Sequence, residues 1–332
     1  MTSRKFGKRG KNNSPSLHML GYFCRRILEL LVTLFFVSLI VFFVLKVLPG
    51  DPAQIILGVN ATPESLTNLR NELGLNQPIY QQYGHWLKGL FTGDLGDSLF
   101  YGKSVSHLIW TRLQVTLPLT ALATLLSVAI AILLGTYAAT HHGGAKDFGI
   151  VVLSQLGMSV PAFWLGVLAL LFFTVKFNLL PSGGFTEWGI NPLNAIKSLI
   201  LPVLTLAVIQ SAALTRMTRS ATLEILSQDF VSTARGKGLK EGSVIYKHVL
   251  GNSLISILTL VGLQIGQLLA GAVVIESVFH LPGLGRLLIL AVQQRDLQLV
   301  QGIVTLLVGA IIVINFIVDL VYCWLDPRIR LS

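Results

Sequence analysis

Charge is scarce in this 332-residue chain: 12% of it is Asp, Glu, Lys or Arg, against 53% hydrophobic residues, which is about half the charge of an ordinary soluble domain. A soluble fold of this length needs a polar skin, and no stretch of the sequence supplies one, so lipid is the expected solvent. Cysteine is scarcer still. Cys24 and Cys323 stand near opposite ends of the chain, which excludes a disulfide framework and a zinc site; Cys24 reads as an interfacial thiol, with lipidation as the alternative. No Gly-x-x-x-x-Gly-Lys-Ser/Thr loop occurs to cradle phosphates, and Gly236-Lys237-Gly238 lacks that spacing. No Ser-His-Asp set or metal-ligand cluster stands out, and His141-His142 reads as a solvated pair in a short cytoplasmic loop. The first 20 residues are basic but have no apolar core with a small-residue cleavage site behind it, so they do not make a secretory signal.

What is abundant is apolar length. A bilayer core about 30 Å thick takes about 20 apolar residues in helix, because backbone groups left unpaired in lipid cost several kcal/mol. Six runs qualify, at roughly 27–48, 114–138, 150–175, 199–217, 253–275 and 300–324. An even number puts both termini on one side. The N-terminal stretch carries Arg4, Lys5, Lys8, Arg9, Lys11, Arg25 and Arg26 with no acid before Glu29, and the 216–252 segment adds Arg216, Arg219, Arg235, Lys237, Lys240 and Lys247. Such bases beside apolar spans mark the cytoplasmic face, so both termini are expected there. They lack interleaved aromatics, which argues against a nucleic-acid groove. Within the spans, Lys46 is close enough to a helix end to snorkel, Glu29 has Arg25 and Arg26 as neighbours, and Asp319, one turn after Asn315, requires a partner inside the bundle.

The expected organisation is a cytosolic basic tail over 1–20, a first spanning helix over 21–48, an extracytoplasmic insertion over 49–113, and a core over 114–332 that holds the other five spans. Leu48-Pro49-Gly50-Asp51-Pro52 ends the first helix. In the insertion, Thr62 as N-cap, Pro63 at the first position, Leu66, Leu69 and Leu73 on one face and Gly74 as stop predict a short helix. The loop over about 218–252 is the most informative segment. Leu223, Leu226, Phe230 and Ala234 recur at helical spacing with Glu224, Asp229 and Arg235 elsewhere, predicting one amphipathic helix. Gly236 and Gly238 break it, and a second helix is expected from near Ser243 through Val244, Tyr246, Lys247 and His248 to Asn252. A helix-glycine-helix elbow has the shape of a docking knob.

At that loop the sequence resembles the permease subunits of binding-protein-dependent ATP-binding-cassette (ABC) importers, in particular the dipeptide, oligopeptide and nickel family. The carriers are Asp229-Phe230-Val231-Ser232-Thr233-Ala234-Arg235-Gly236-Lys237-Gly238-Leu239 and His248-Val249-Leu250-Gly251-Asn252. In the family the glycine matching Gly238 is the fixed point of the motif, while Gly236 stands where alanine is frequent. Arg25-Arg26-Ile27-Leu28, Gly93-Asp94-Leu95-Gly96-Asp97-Ser98, Ser159-Val160-Pro161-Ala162-Phe163-Trp164, Glu276-Ser277-Val278-Phe279, Pro282-Gly283-Leu284-Gly285-Arg286, Asp319-Leu320 and Leu325-Asp326-Pro327-Arg328 follow in the family's order, over about residues 20–330. The resemblance implies an all-α membrane protein with six transmembrane helices and the type I ABC importer permease fold. It implies, too, a pathway shared with a homologous second permease, two ABC ATPase subunits that hold the ATP and Mg, an extracytoplasmic solute-binding protein, and a bacterial inner membrane. This chain itself is expected to bind no cofactor and to be no enzyme.

The candidate coupling residues are Asp229, Phe230, Thr233, Ala234, Arg235, Gly236, Lys237, Gly238, Leu239, His248 and Asn252; the competing reading is a basic loop held by anionic lipid. Gly262, Gly266 and Ala270, at i, i+4 and i+8, suit close helix packing, with a pore-facing role as the sharper alternative. Pro161, Phe163 and Trp164 are candidates to line the pathway, as a kink with aromatic faces, against ordinary packing. The expected function is translocation of peptides or a related small solute such as a nickel chelate. A membrane receptor sensing through the outside segment, and an intramembrane enzyme, are the competing classes; no attached output domain favours the first and no paired catalytic groups favour the second.

Overall fold

The computed structural model describes residues 15–47, 52–58, 61–72 and 74–325. The basic tail before residue 15, most of the Leu48-Pro49-Gly50-Asp51-Pro52 exit, Leu73 and the Asp326-Pro327-Arg328 end lie outside the described residues. Lipid leaves backbone groups unpaired unless the segment pairs its own, and the described chain accordingly consists of helices, with one isolated bridge between Asp97 and Ser104.

Helix α1 (Pro15–Val47) begins inside the stretch expected as tail, on a proline whose fixed φ suits a first helical position, and its apolar span is Phe23–Val44. Three helices fill the insertion: α2 (Pro52–Leu57), α3 (Pro63–Glu72) and α4 (Ile79–Thr92). α3 starts as its sequence predicts. The Ser65 amide donates to Thr62 Oγ1 at 3.2 Å and the Thr62 amide donates back to Ser65 Oγ at 3.0 Å; Gly74 follows with φ 65°. α4 has no counterpart in the sequence reading. The second span, α5 (Val105–Thr140), starts well before residue 114, and the fourth, α8 (Pro192–Leu226), outruns 199–217 at both ends. Asn191 caps α8 by accepting the Asn194 amide at 3.1 Å. Short helices α9 (Asp229–Gly236) and α10 (Glu241–Ser243) make the elbow. The fifth span is α11 (Gly251–Val278), then α12 (Leu284–Gln293) crosses the far end, and α13 (Leu297–Leu325) is the last span.

The third span departs from the expected single helix over 150–175. It is a pair, α6 (Ala145–Ser159) and α7 (Ala162–Ala169), the latter continued by a π-helical turn to Lys176, and the two halves are bent by 100°. Pro161 brings no amide and forces Val160 into extended backbone, φ −82° and ψ 124°. Among the described residues five helices are thus long and apolar enough to cross, and the bent pair makes a sixth when its halves are taken as one span.

Packing follows small residues. A Cβ added to Gly135 of α5 would stand 2.7 Å from Thr218 Cβ and 2.8 Å from the Thr215 carbonyl of α8, and one on Gly157 of α6 would stand 2.9 Å from Ala212 Cβ. Leu119, Leu199, Leu206, Leu268, Ile275 and Phe279 fill the space between α5, α8 and α11. α1 is tied to α13 by Arg26, whose guanidinium lies 3.0 Å from the Asp319 carboxylate, with Glu29 bonding Arg25 and Arg26 beside it. Asp319 thus has a partner on a neighbouring span, although both side chains stay partly exposed, so the pair lies at the edge of the bundle and not inside it. We expect Gly135→Val to destabilise the chain by about 1–3 kcal/mol through overpacking against α8, read as a lower thermal unfolding midpoint in detergent; an unchanged midpoint would contradict the close α5–α8 contact.

Candidate functional site at the elbow between two spanning helices

α8 ends at Leu226 because Ser227 and Gln228 turn the chain, Gln228 being extended at φ −77° and ψ 146°. α9 then starts with Asp229 in its first turn, where a carboxylate favours the helix dipole. Its end is a Schellman closure: the Leu239 amide donates to Ala234 O at 3.4 Å, the Gly238 amide to Arg235 O at 2.9 Å, and Gly238 is left-handed at φ 75°. Gly236 stays inside the helix, so of the two glycines only Gly238 needs its freedom. Arg235 reaches across the turn to Glu241, Nη2 to Oε1 at 2.6 Å and Nε to Oε2 at 3.2 Å. That bidentate pair raises the guanidinium's pKa and lowers the Glu241 carboxyl's. Its support is therefore present above the ordinary carboxylate range and fades as pH falls through the lowered value.

The expected single amphipathic helix is corrected by this geometry. Leu223 and Leu226 belong to α8, the turn at Ser227 resets the helical phase, and the face that α9 buries is Val231 and Ala234, against Val244, Val249, Ile225 and Leu226. Phe230, expected on the buried face, is 41% exposed, as is Leu239 at 43%. Asp229, Thr233, Arg235 and Lys237 are exposed around them. The second helix begins at Glu241, not Ser243, passes through a π-helical stretch Val244–Leu250 and enters α11 without a break. His248 and Asn252 lie on that run, where Asn252 Nδ2 donates to the His248 carbonyl at 2.6 Å.

Beside the elbow, sequence reading missed a buried ion pair. Arg219 of α8 grips Asp147 of α6, Nε to Oδ1 at 2.5 Å and Nη2 to Oδ2 at 2.7 Å, and the Gly143 amide donates to the same carboxylate at 3.0 Å. His142 touches this cluster, its Nδ1 lying 3.2 Å from Asp147 Oδ2 and 3.0 Å from Arg219 Nη2, while its side chain stays 62% exposed. His141 instead stacks on Tyr137.

At the far end two more carboxylates organise the loops. Glu276 is fully buried; Thr116 Oγ1 donates to it at 2.6 Å, and the Gly285 and Arg286 amides at the start of α12 donate at 2.8 and 3.1 Å. A side chain on Gly283 would collide with this carboxylate, which is the physical reason for the glycine there. Asp296 accepts from Ser98 Oγ at 2.5 Å, from the Phe100 amide at 3.3 Å and from the Leu299 amide at 3.1 Å, so it caps α13 and holds the 93–101 segment down. Thr116, Ser98 and Phe100 are remote in sequence and leave no trace in spacing, whereas Leu299, three residues after Asp296, follows a local N-cap pattern.

The remaining candidates scatter. Gly262 faces Val318 of α13, where a Cβ would stand 2.7 Å away, and Gly266 faces Ile311 at 3.7 Å; Ala270 is exposed. Pro161 makes the bend between α6 and α7, and Phe163 and Trp164 follow it half-exposed. A crevice between α5, α8 and α11, too narrow to hold a water molecule, is lined by Thr124, Ser127, Gln210 and Gln264 among others. Among the described residues no group of three His, Cys, Asp or Glu could hold a metal ion.

An elbow bonded into one unit, rooted in two spanning helices and showing apolar tips, sits in a chain that family models match almost throughout: the binding-protein-dependent transport system inner membrane component over residues 131–331, and the N-terminal membrane component of such systems over 19–120. The chain belongs to the inner membrane components of binding-protein-dependent transport systems. Relatives of this permease include a putative peptide transport system permease protein of Brucella abortus (strain 2308), 42% identical over 94% of this chain and 99% of that protein. A di/tripeptide transport system permease protein of Pseudomonas aeruginosa and a glutathione transport system permease protein of Escherichia coli O6:H1 are each 38% identical, over 94% of this chain and 99% of theirs. In fold it is similar to a chain of the inward-facing MetNI methionine ABC transporter, with TM-score 0.55 and 18% identity over 66% of this chain and 96% of that one. The permease thus has the type I importer fold that its motifs implied.

Removing the Glu276 carboxylate strands two amides and a hydroxyl, each worth about 1–3 kcal/mol when unpaired. We expect Glu276→Ala to lower the unfolding midpoint and expose the 278–286 loop to protease, with Glu276→Gln between it and the parent protein. Equal protease resistance in all three would contradict the clamp.

Proposed function

We propose that this permease forms one half of a solute pathway in a bacterial inner membrane and moves peptides or chemically similar small solutes inward, driven by ATP hydrolysed on partner subunits. The other half is a homologous permease, two ATPases sit under the elbow, and a solute-binding protein delivers cargo at the opposite end. ATP and Mg belong to the ATPases, since this chain has no phosphate-cradling loop. Both termini and the elbow are cytoplasmic, because the thirteen bases named above cluster at the N-terminal stretch and the 216–252 loop. Peptide as cargo class is supported by the names of the relatives.

The observation that carries this reading is the construction of the elbow. α9 is closed at Gly238, clamped by Arg235 and Glu241, and packed through Val231 and Ala234 onto the root of α11. It therefore moves as a body, while Phe230 and Leu239 offer apolar tips to a groove. A push on such a body passes into α8 and α11 together. Asp147 and Arg219 extend the connection to α6.

Two kinds of variant separate docking from folding. Ala234→Asp puts an unpaired carboxylate against Val231, Val244 and Val249 and collapses the elbow, and Gly238→Val strains a left-handed position. Phe230→Asp leaves the elbow intact and removes an apolar anchor, which at a docking hot spot lowers affinity by about tenfold or more. We expect all three to insert, to lose labelled-peptide uptake in vesicles, and, for Phe230→Asp, to keep the parental unfolding midpoint. Parental uptake by Phe230→Asp and Gly238→Val would overturn the coupling role.

A further inference from the structure

α4 is not explained by transport, and its three faces differ. Ile79, Tyr83, Trp86 and Leu90 share one side. Two of them meet α1: the Tyr83 and Trp86 rings lie 5.3 and 5.7 Å from the Phe42 ring, and the Tyr83 hydroxyl pairs with Ser38 Oγ at 2.7 Å. Lys46 of α1 donates to Gln82. Gln81, His85, Lys88 and Thr92 form a polar side. Between them lie Tyr80 and Phe91, 71% and 86% exposed, with Leu87. Among the described residues no helix buries Tyr80 or Phe91.

Depth identifies what does. Ser38 lies inside the apolar span of α1, which ends at Val44, so at 1.5 Å per residue the Ser38–Tyr83 bond is about 9 Å below the end of that span. α4 is therefore beside the membrane-embedded part of α1, not above it. α1 shows Phe36, Ile40 and Phe43 uncovered at the same level, and such a surface on a spanning helix faces lipid. Tyr and Trp are the residues that favour the boundary between headgroups and acyl chains. A helix with one apolar side, one polar side and interfacial aromatics rests in that boundary, sunk by about 5–10 Å.

We propose that α4 is an interfacial membrane helix: Tyr80, Leu87 and Phe91 enter the outer-leaflet lipid, Gln81, His85, Lys88 and Thr92 face water, and the Tyr83–Ser38 contact fixes its height on α1. The partner is the lipid bilayer. Continuity with the uncovered face of α1 favours lipid over a second protein, because α4 is held beside that apolar stretch and its third side carries no charged residue.

The test is nitroxide accessibility on the full chain reconstituted in phosphatidylethanolamine–phosphatidylglycerol vesicles. Phe91→Cys, Tyr80→Cys and Lys88→Cys are spin-labelled in a Cys24→Ser, Cys323→Ser background and probed by oxygen and by a water-soluble nickel chelate. The expected result is an oxygen-to-nickel collision ratio several-fold higher at 80 and 91 than at 88. Should Phe91→Cys fail to insert, Tyr80→Cys carries the same reading. A nickel-dominated signal at 80 and 91 overturns the proposal in favour of water. Low collision rates with both reagents overturn it in favour of a covering protein.

Discussion

Inside a bilayer no water is at hand to complete a backbone hydrogen bond, so each place where the helical ladder breaks must be repaired by the protein itself. At three interruptions among the described residues a specific group repairs the break. At the far end the carboxylate of Glu276 takes the amides that open α12, and Asp296 takes the one that opens α13. At the elbow the Ala234 and Arg235 carbonyls accept the amides released after Gly236. These loops are thereby tied by hydrogen bonds to the helices they join.

This has a consequence for how the molecule divides. α5, α6 and α8 are held by small residues and by the Asp147–Arg219 pair, a contact without slack. α11 meets α8 partly through Gln210, whose amide donates to the Gln264 carbonyl at 3.0 Å. A side-chain bond to a main-chain carbonyl can be exchanged for another with little change in energy, unlike an interdigitated glycine seam. The elbow touches both groups, since it hangs from α8 and runs into α11.

Apolar run length made the spans legible in the sequence, because the bilayer imposes one length on all of them. Capping chemistry made α3 legible through Thr62, Pro63 and Gly74. The rest depended on information that one-dimensional spacing does not carry. Leu223, Leu226, Phe230 and Ala234 keep a helical rhythm across Ser227, and only the turn there shows that the rhythm belongs to two helices with different buried sides. Pro161 is compatible with a mild kink or with the 100° bend that occurs. Glu276 was visible within a motif, yet its partners Thr116 and Gly285 are brought to it by the fold. The elbow was recognisable as a knob; which of its apolar residues face outward was not.

The unbroken passage from the elbow into α11 sets a mechanical scale. α11 has 28 residues, a rod of about 42 Å at 1.5 Å per residue. Pivoting such a rod by only about 7° at one end sweeps the other through about 5 Å, close to the pitch of an α-helix. A modest swing at the elbow end is thus geometrically sufficient to move the opposite end of α11 sideways by about half a helix diameter, with no helix having to unwind.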